Sequence, residues 1–456
     1  MVGFLLPSLA MFLNLPAAQI SAATAVPPAA PASLSLPAAE SPTADASLMT
    51  LDRAIQLARS ANAKLPAAAT ETEIARQKLR EARAERWLKV AVEGDFIYAP
   101  AGAYDPILTN LGEERLQVTG KQPIYDGGEN RAAVSRAQAQ TLAAEARYRI
   151  AERDLDLEVR SRYAELVSAD GEIAARQAGI RRLEAYRDLL RSRRAAGQGV
   201  AADVLKTEVR LSSERAAVVE AQQRRDDSRL ELNSLLGRDP SGPLRAAPLP
   251  APGPPAVLSV EGEVPEVDAA SAEVSSALAD LLAARAQRRP HLFAAADAGL
   301  WGSDTTRIFP PDLRAGNWNP TFSDRLRRDS GYSVSLNLSW PIFDFGAASA
   351  RTAQARLSVT KAELQRVVQQ REAVLQREKA RATVENLYRE IEVLSAAAPS
   401  ARDSYLEVES RFRGGAATSL EVLDAYAAAV EAEVRLAEVV SRYRIAEALR
   451  IRWSPW

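Results

Sequence analysis

A six-residue pattern, Pro–Ile–aromatic–Asp–x–Gly, occurs twice in the 456-residue chain, as PIYDGG at 123–128 and as PIFDFG at 341–346. Each copy follows an alternating run and precedes a long Ala/Arg/Glu-rich one. The offset of 218 (341 − 123) also carries Gly197 onto Gly415 and Asp203-Val204-Leu205 onto Glu421-Val422-Leu423. Upstream, EARAERWLKVAVEGD at 81–95 aligns without a gap with AARAQRRPHLFAAAD at 283–297, at an offset of 202 (285 − 83). The loop between the two strands is therefore longer by 16 residues (218 − 202) in the second copy. Such self-similarity means a tandem duplication of one unit, strand–loop–strand–helix–turn–helix.

The strands of that unit are unusual in their setting. In YSVSLNLSW, 332–340, Tyr332, Val334, Leu336, Leu338 and Trp340 point one way, and Ser333, Ser335, Asn337 and Ser339 the other. Its counterpart sets Leu116 and Val118 against Arg115, Gln117, Thr119 and Lys121. Period-two alternation fits a half-buried soluble strand, and equally an outer-membrane barrel strand, apolar toward lipid and polar toward the lumen. Four strands are expected, at about 89–98, 113–124, 291–301 and 331–342, each long enough to cross a bilayer when tilted. The flanking helices are too long to fold over a small sheet. A helical stretch of roughly 68 residues from about Gly128 to Ala196 would be a rod of about 100 Å.

Four strands cannot close a membrane barrel, whose smallest form has eight, and an open edge in lipid leaves backbone groups unsatisfied. The chain must then share its barrel with copies of itself, two giving eight strands and three giving twelve. On this view each corner is where a membrane strand becomes an aqueous helix. Pro123 and Pro341 end the strands, Tyr125 and Phe343 suit the lipid–water interface, and Asp126 and Asp344 cap the following helix. Gly128 and Gly346 tolerate the sharp turn.

Composition agrees with long helices. Ala, Arg, Leu and Glu dominate, charged residues make up 26% and aromatics 6%. With 58 basic and 59 acidic residues, no global electrostatic attraction to nucleic acid is implied. No cysteine and one histidine, His291, leave no thiol chemistry, no lipoprotein acylation site and no usual zinc constellation. The first charge is Glu40, and residues 1–25 read as a signal peptide that lacks a leading Lys or Arg, followed by a flexible Ala/Pro-rich lead-in over 26–47. The first repeat occupies 48–236, with a helix to about Trp87 interrupted at Pro66, and a hairpin tip near 197–203. A Pro/Gly-rich linker runs over 237–267, and the second repeat over 268–456, with a short helix at about 269–289 and a tip near 412–421.

The duplicated corner, the opening LDRAIQLARSAN at 51–62, and the tips GQGVAADVLKTEVRL at 197–211 and RFRGGAATSLEVLDAYAAAVEAEVRL at 411–436 together resemble the TolC-like outer-membrane efflux proteins, over about residues 48–453. The resemblance implies a mainly α, α+β chain. Its long antiparallel helical hairpins form a periplasmic tunnel, and its four strands contribute to a trimeric, twelve-stranded barrel. It also implies a passive exit duct in the Gram-negative outer membrane for an efflux or type I secretion system, served by a periplasmic adaptor (membrane fusion protein) and an inner-membrane transporter. The adaptor would meet tip residues Gly197, Gly199, Asp203, Val204, Leu205, Gly414, Gly415, Val422 and Leu423. Glu421 and Asp424 match the acidic residues that narrow the family's periplasmic aperture; a ring of three such charges would screen cations, whereas a bland N-terminal acid on a solvated helix is the competing role for Glu421. The chain departs from the family at Ala417, where an arginine helps latch the tip, and at Phe412, where the family has tyrosine.

Other motifs carry less. GQGVAA at 197–202 fits a dinucleotide-binding glycine fingerprint, but a helix and not a strand precedes it. RSRRAAGQG reads as a solvated face, His291 as an ordinary rim residue, and the terminal WSPW as an anchor without an evident mechanism. No nucleophile–base pair or carboxylate dyad points to an enzyme, and no cofactor is implied. The alternative class is a periplasmic coiled-coil adaptor or scaffold, which would not need four amphipathic strands.

Overall fold

A computed structural model describes residues 48–98, 112–256, 262–302 and 330–455. The expected signal peptide and lead-in lie outside the described residues. Helix α1, Leu51–Ala61, starts at Thr50, whose Oγ1 accepts a hydrogen bond from the Arg53 amide at 3.3 Å. It stops at Asn62 and not at Pro66. The Asn62 side chain donates to the Leu235 carbonyl at 3.0 Å and accepts the Lys64 amide at 2.9 Å, so it ends one helix and opens the next. Pro66 then sits in the first turn of α2, Lys64–Ala84, where its missing N–H has no partner to lose.

Strands β1, Lys89–Tyr98, and β2, Gly112–Tyr125, lead into α3, Glu129–Ala195, which is 67 residues or about 100 Å long. Helix α4, Ala201–Leu235, folds back on it. Leu155, Val159, Tyr163 and Leu166, at helical spacing along α3, form an apolar stripe buried against Ala54, Ile55 and Ala58 of α1 and Leu232 of α4. The Tyr163 hydroxyl bridges the carbonyls of Met49 (2.7 Å) and Ala247 (2.8 Å), tying the chain entry to the linker.

The second repeat opens with α5, Pro265–Ala286, earlier than expected because Pro265 occupies the first helical position, where proline is favoured, with Glu266 and Asp268 behind it. There follow β3, His291–Gly302; β4, Ser330–Ser339; α6, Ala347–Arg413; and α7, Ser419–Arg452. Helix α6 also has 67 residues and passes through Pro399. The strands form one antiparallel sheet in the order β1-β2-β3-β4, so the repeats meet at β2 and β3. At the far end all four long helices share one core, with Tyr186, Val204, Tyr405, Phe412, Val422 and Tyr426 buried together. Gly179 of α3 permits this closeness, since a Cβ there would lie 2.6 Å from Tyr426 Oη.

Two strand ends depart from expectation. Pro123 does not end β2: the strand runs on to Tyr125, with Pro123 opposite Phe293 and a bulge before Tyr125, the kind of place where a ladder accommodates proline. Strand β4 stops at Ser339, short of the expected 342, so Pro341 lies beyond its end.

Candidate functional site

The register sorts the sheet residues by face. Val90 and Val92 lie opposite Gly120 and Val118; Val118 faces Ala298, and Ala298 faces Tyr332. One face is therefore apolar across all four strands, and Val90, Val92, Leu116, Val118, Tyr332, Val334, Leu336 and Leu338 are all exposed on it. The opposite face is polar and internally bonded: Arg115 Nε donates to Asp95 at 2.9 Å, Gln117 to Glu93 at 3.1 Å, and Ser333 to Asp297 at 3.1 Å. An uncovered apolar sheet of this extent calls for a lipid or protein partner. Among the described residues no helix is long and apolar enough to cross a membrane, and β1 and β4 each have one neighbour only.

The corners share one geometry. Asp126 accepts the amides of Gly128 (2.9 Å) and Asn130 (2.8 Å), and Asp344 those of Gly346 (3.1 Å) and Ala348 (2.6 Å). Burial pushes the Asp126 carboxyl up, but those amides outweigh it and hold the group below its ordinary value. Gly128 and Gly346 are left-handed, with φ of +101° and +89°, a conformation natural to glycine. Tyr125 and Phe343 are both exposed beside them. His291 opens β3, 3.9 Å from Glu129.

At the other end, Gly197 (φ +75°) and Gly415 (φ +78°) close identical turns: the next residue's amide, Gln198 or Ala416, bonds back to the Arg193 or Arg411 carbonyl at 2.8 Å. Gly199 permits close approach to the Arg194 backbone, whereas Gly414 is right-handed. Val204 and Val422 are interior, so of the hydrophobic tip residues Leu205 is exposed and Leu423 half-buried. Asp203 stands in the first turn of α4. Asp424 is exposed, and Glu421 forms a capping box: its carboxylate accepts the Thr418 amide at 2.6 Å, and its own amide donates to Thr418 Oγ1 at 3.3 Å.

The RSRRAAGQG stretch is not simply solvated. The Arg193 guanidinium lies 4.5 Å from the centre of the Phe412 ring and donates to the Arg413 carbonyl at 2.6 Å, while Tyr186 meets the same ring edge-on at 5.3 Å. These contacts fasten the first hairpin to the second beside Ala417. Only the aromatic at 412 could have hinted at them, because residues 193 and 412 lie in different repeats. Burial pushes Tyr405 up to about 12 and Tyr426 higher still, so both hydroxyls keep their protons near neutrality.

Residues 54–238 and 259–449 match the profile of the outer membrane efflux protein family. The chain is 28% identical over 282 residues to protein CyaE of Bordetella pertussis, an alignment covering 56% of this chain and 53% of that one, so it spans about half the length of that relative. The fold is that of the outer membrane protein VceC of Vibrio cholerae (TM-score 0.75, 19% identity, 89% of this chain and 96% of that one). It is equally that of the CmeC outer membrane channel of Campylobacter jejuni (TM-score 0.76, 15% identity, 88% and 85%). With its family profile covering both repeats and its uncovered apolar sheet, the chain belongs to the outer membrane efflux protein family, and its place is the outer membrane.

Proposed function

We propose that three copies close one twelve-stranded barrel and that their helices continue it as a tunnel into the periplasm, forming a passive exit duct. The observation that carries this is the four-stranded sheet, apolar and exposed on one face, polar on the other, open at both edges. Closure satisfies the edges, lipid covers the apolar face, and Glu93, Asp95, Arg115 and Asp297 line water. A periplasmic adaptor and an inner-membrane pump would supply substrate and energy, the adaptor meeting Leu205, Asp203 and the glycine turns at 197–199 and 414–415. Glu421 and Asp424 of three copies would form the acidic aperture, with Glu421 also holding its helix cap.

Purified protein in planar bilayers tests the duct. Discrete channels whose cation selectivity falls when Asp424→Ala is introduced are expected. A protein recovered from the soluble periplasm and silent in bilayers would favour the coiled-coil adaptor instead.

A further inference from the structure

The two halves of the chain are equivalent in register as well as in sequence. Lys89 pairs with Lys121 between β1 and β2. Adding the two offsets gives 291 (89 + 202) and 339 (121 + 218), and His291 does pair with Ser339 between β3 and β4. The offsets therefore transfer strand pairing without a slip. The seam between the repeats, β2 on β3, aligns Lys121 with Ala295 and Thr119 with Asp297. Transferred forward, it gives 339 (121 + 218) opposite 93 (295 − 202), and 337 (119 + 218) opposite 95 (297 − 202). Those residues lie on β4 and β1, the two open edges.

The early end of β4 has the same origin. Gln122, Pro123 and Tyr125 remain in β2 because Ala294, Phe293 and Leu292 pair with them. Among the described residues no strand pairs with the outer edge at their counterparts Trp340, Pro341 and Phe343, and β4 stops at Ser339.

The corner shows an equivalent gap. Arg289 Nη1 donates to the Gly127 carbonyl at 2.8 Å, and a Cβ on Gly127 would lie 2.8 Å from the Arg289 Cβ, so the second repeat covers the first repeat's corner. The counterparts are Phe345 (127 + 218) and Trp87 (289 − 202). Phe345 is 93% exposed and, among the described residues, the one non-glycine with positive φ (+51°); Trp87 is 63% exposed. Along the helices, Ala139 and Ala146 are buried on the side of α3 whose Arg136 and Arg147 reach Asp280 (2.5 Å) and Glu273 (2.6 Å) of α5. Their α6 counterparts Leu357 and Leu364 stand 71% and 62% exposed, and Gln354 and Gln365 replace the two arginines.

We propose that β4 pairs with β1 of a second copy in the register Ser339 opposite Glu93, and that Trp87 of that copy packs on Phe345. This rests on the shared-barrel reading. Within the chain a guanidinium covers a glycine; between copies an indole covers a phenyl ring, and the helical seam below exchanges ion pairs for leucines.

The chain has no cysteine, so engineered pairs report cleanly. Directly opposed strand residues have Cα atoms about 4.5–5.5 Å apart, inside the range of about 4.4–6.8 Å that a disulfide spans. Full-length protein carrying Ser339→Cys with Glu93→Cys, oxidised in outer membranes, should give covalent dimers and trimers that reductant removes. Either single variant should not, nor should Ser339→Cys with Asp95→Cys. Cross-linking of the shifted pair, or none by the matched pair while native mass spectrometry still counts three chains, overturns the register; a lone chain in that spectrum overturns the shared barrel itself. Phe345→Gly and Trp87→Ala should each lower the temperature at which the trimer dissociates in SDS, and together no further than the stronger one. Unchanged dissociation, as for rings that touch only lipid, overturns the corner contact.

Discussion

Arg452 near the end of α7 gives the sharpest test of how the helical body is held. Its guanidinium is buried, with Nε 2.5 Å from Asp154 of α3, Nη2 paired with Glu266 in the first turn of α5, and its plane 4.9 Å from the Trp453 ring. Burial opposes the charge, yet the hydrogen bonds to Glu266 and Asp154 outweigh it and hold the group above its ordinary value. Three helices thus meet on one cation, and Arg153 adds to the clasp by donating to the carbonyls of Arg452 and Ser454. The Glu266 side chain is only 14% exposed, whereas Asp154 is 52% exposed and can turn to water. Arg452→Met therefore strands one buried carboxylate, at a cost of about 3–5 kcal/mol. Adding Glu266→Gln removes the stranded charge and should restore most of that loss, since replacing both partners of a buried pair is often near neutral. Denaturant unfolding in detergent, followed by the loss of helical circular dichroism, measures both variants. A single variant within about 1 kcal/mol of the parent, or a double variant worse than the single, would refute the clasp as an ionic one.

Glu421→Gln should keep the cap and lower cation selectivity, whereas Glu421→Ala should loosen the start of α7 as well; equal channel traces from the two would separate selectivity from capping. The Thr418 amide and hydroxyl hold the Glu421 carboxyl below its ordinary value. The cap's contribution is therefore complete above that ordinary value and disappears as pH falls through the lowered one, seen as fraying of α7 by hydrogen exchange in acid and not at neutrality. Arg193→Ala removes the ring contact and the bond to Arg413, a loss of about 1–2 kcal/mol, and should raise open probability about tenfold in bilayers; an unchanged value would free the tip from this contact. Gly179→Leu would drive a side chain into Tyr426 and should cost about 1–3 kcal/mol or more, read as increased protease sensitivity near 179 and 426.

Much of this architecture was legible because it repeats. The alternation of YSVSLNLSW and the paired corners mark strands and turns that local chemistry determines, and the 155–166 stripe predicts its own burial. What escaped depends on distant partners. Asn62 ends α1 because Leu235 offers a carbonyl, and Pro123 stays in its strand because β3 runs beside it. Pro265 was hidden by a proline-rich neighbourhood, although its place at a helix start follows ordinary preference. Val204 and Val422 looked like surface tips, but four helices converge there and take them inside. Arg193 and Phe412 are brought together across the two repeats, which no local pattern announces.

Every step toward a duct depends on how many chains share one sheet. Native mass spectrometry of the protein released intact from outer membranes into mild detergent counts them directly. Three chains per particle are expected, with cross-linked β4 and β1 edges in the same particles. A single chain that keeps its strands protected from hydrogen exchange on both edges would show a sheet complete in itself, and no shared barrel.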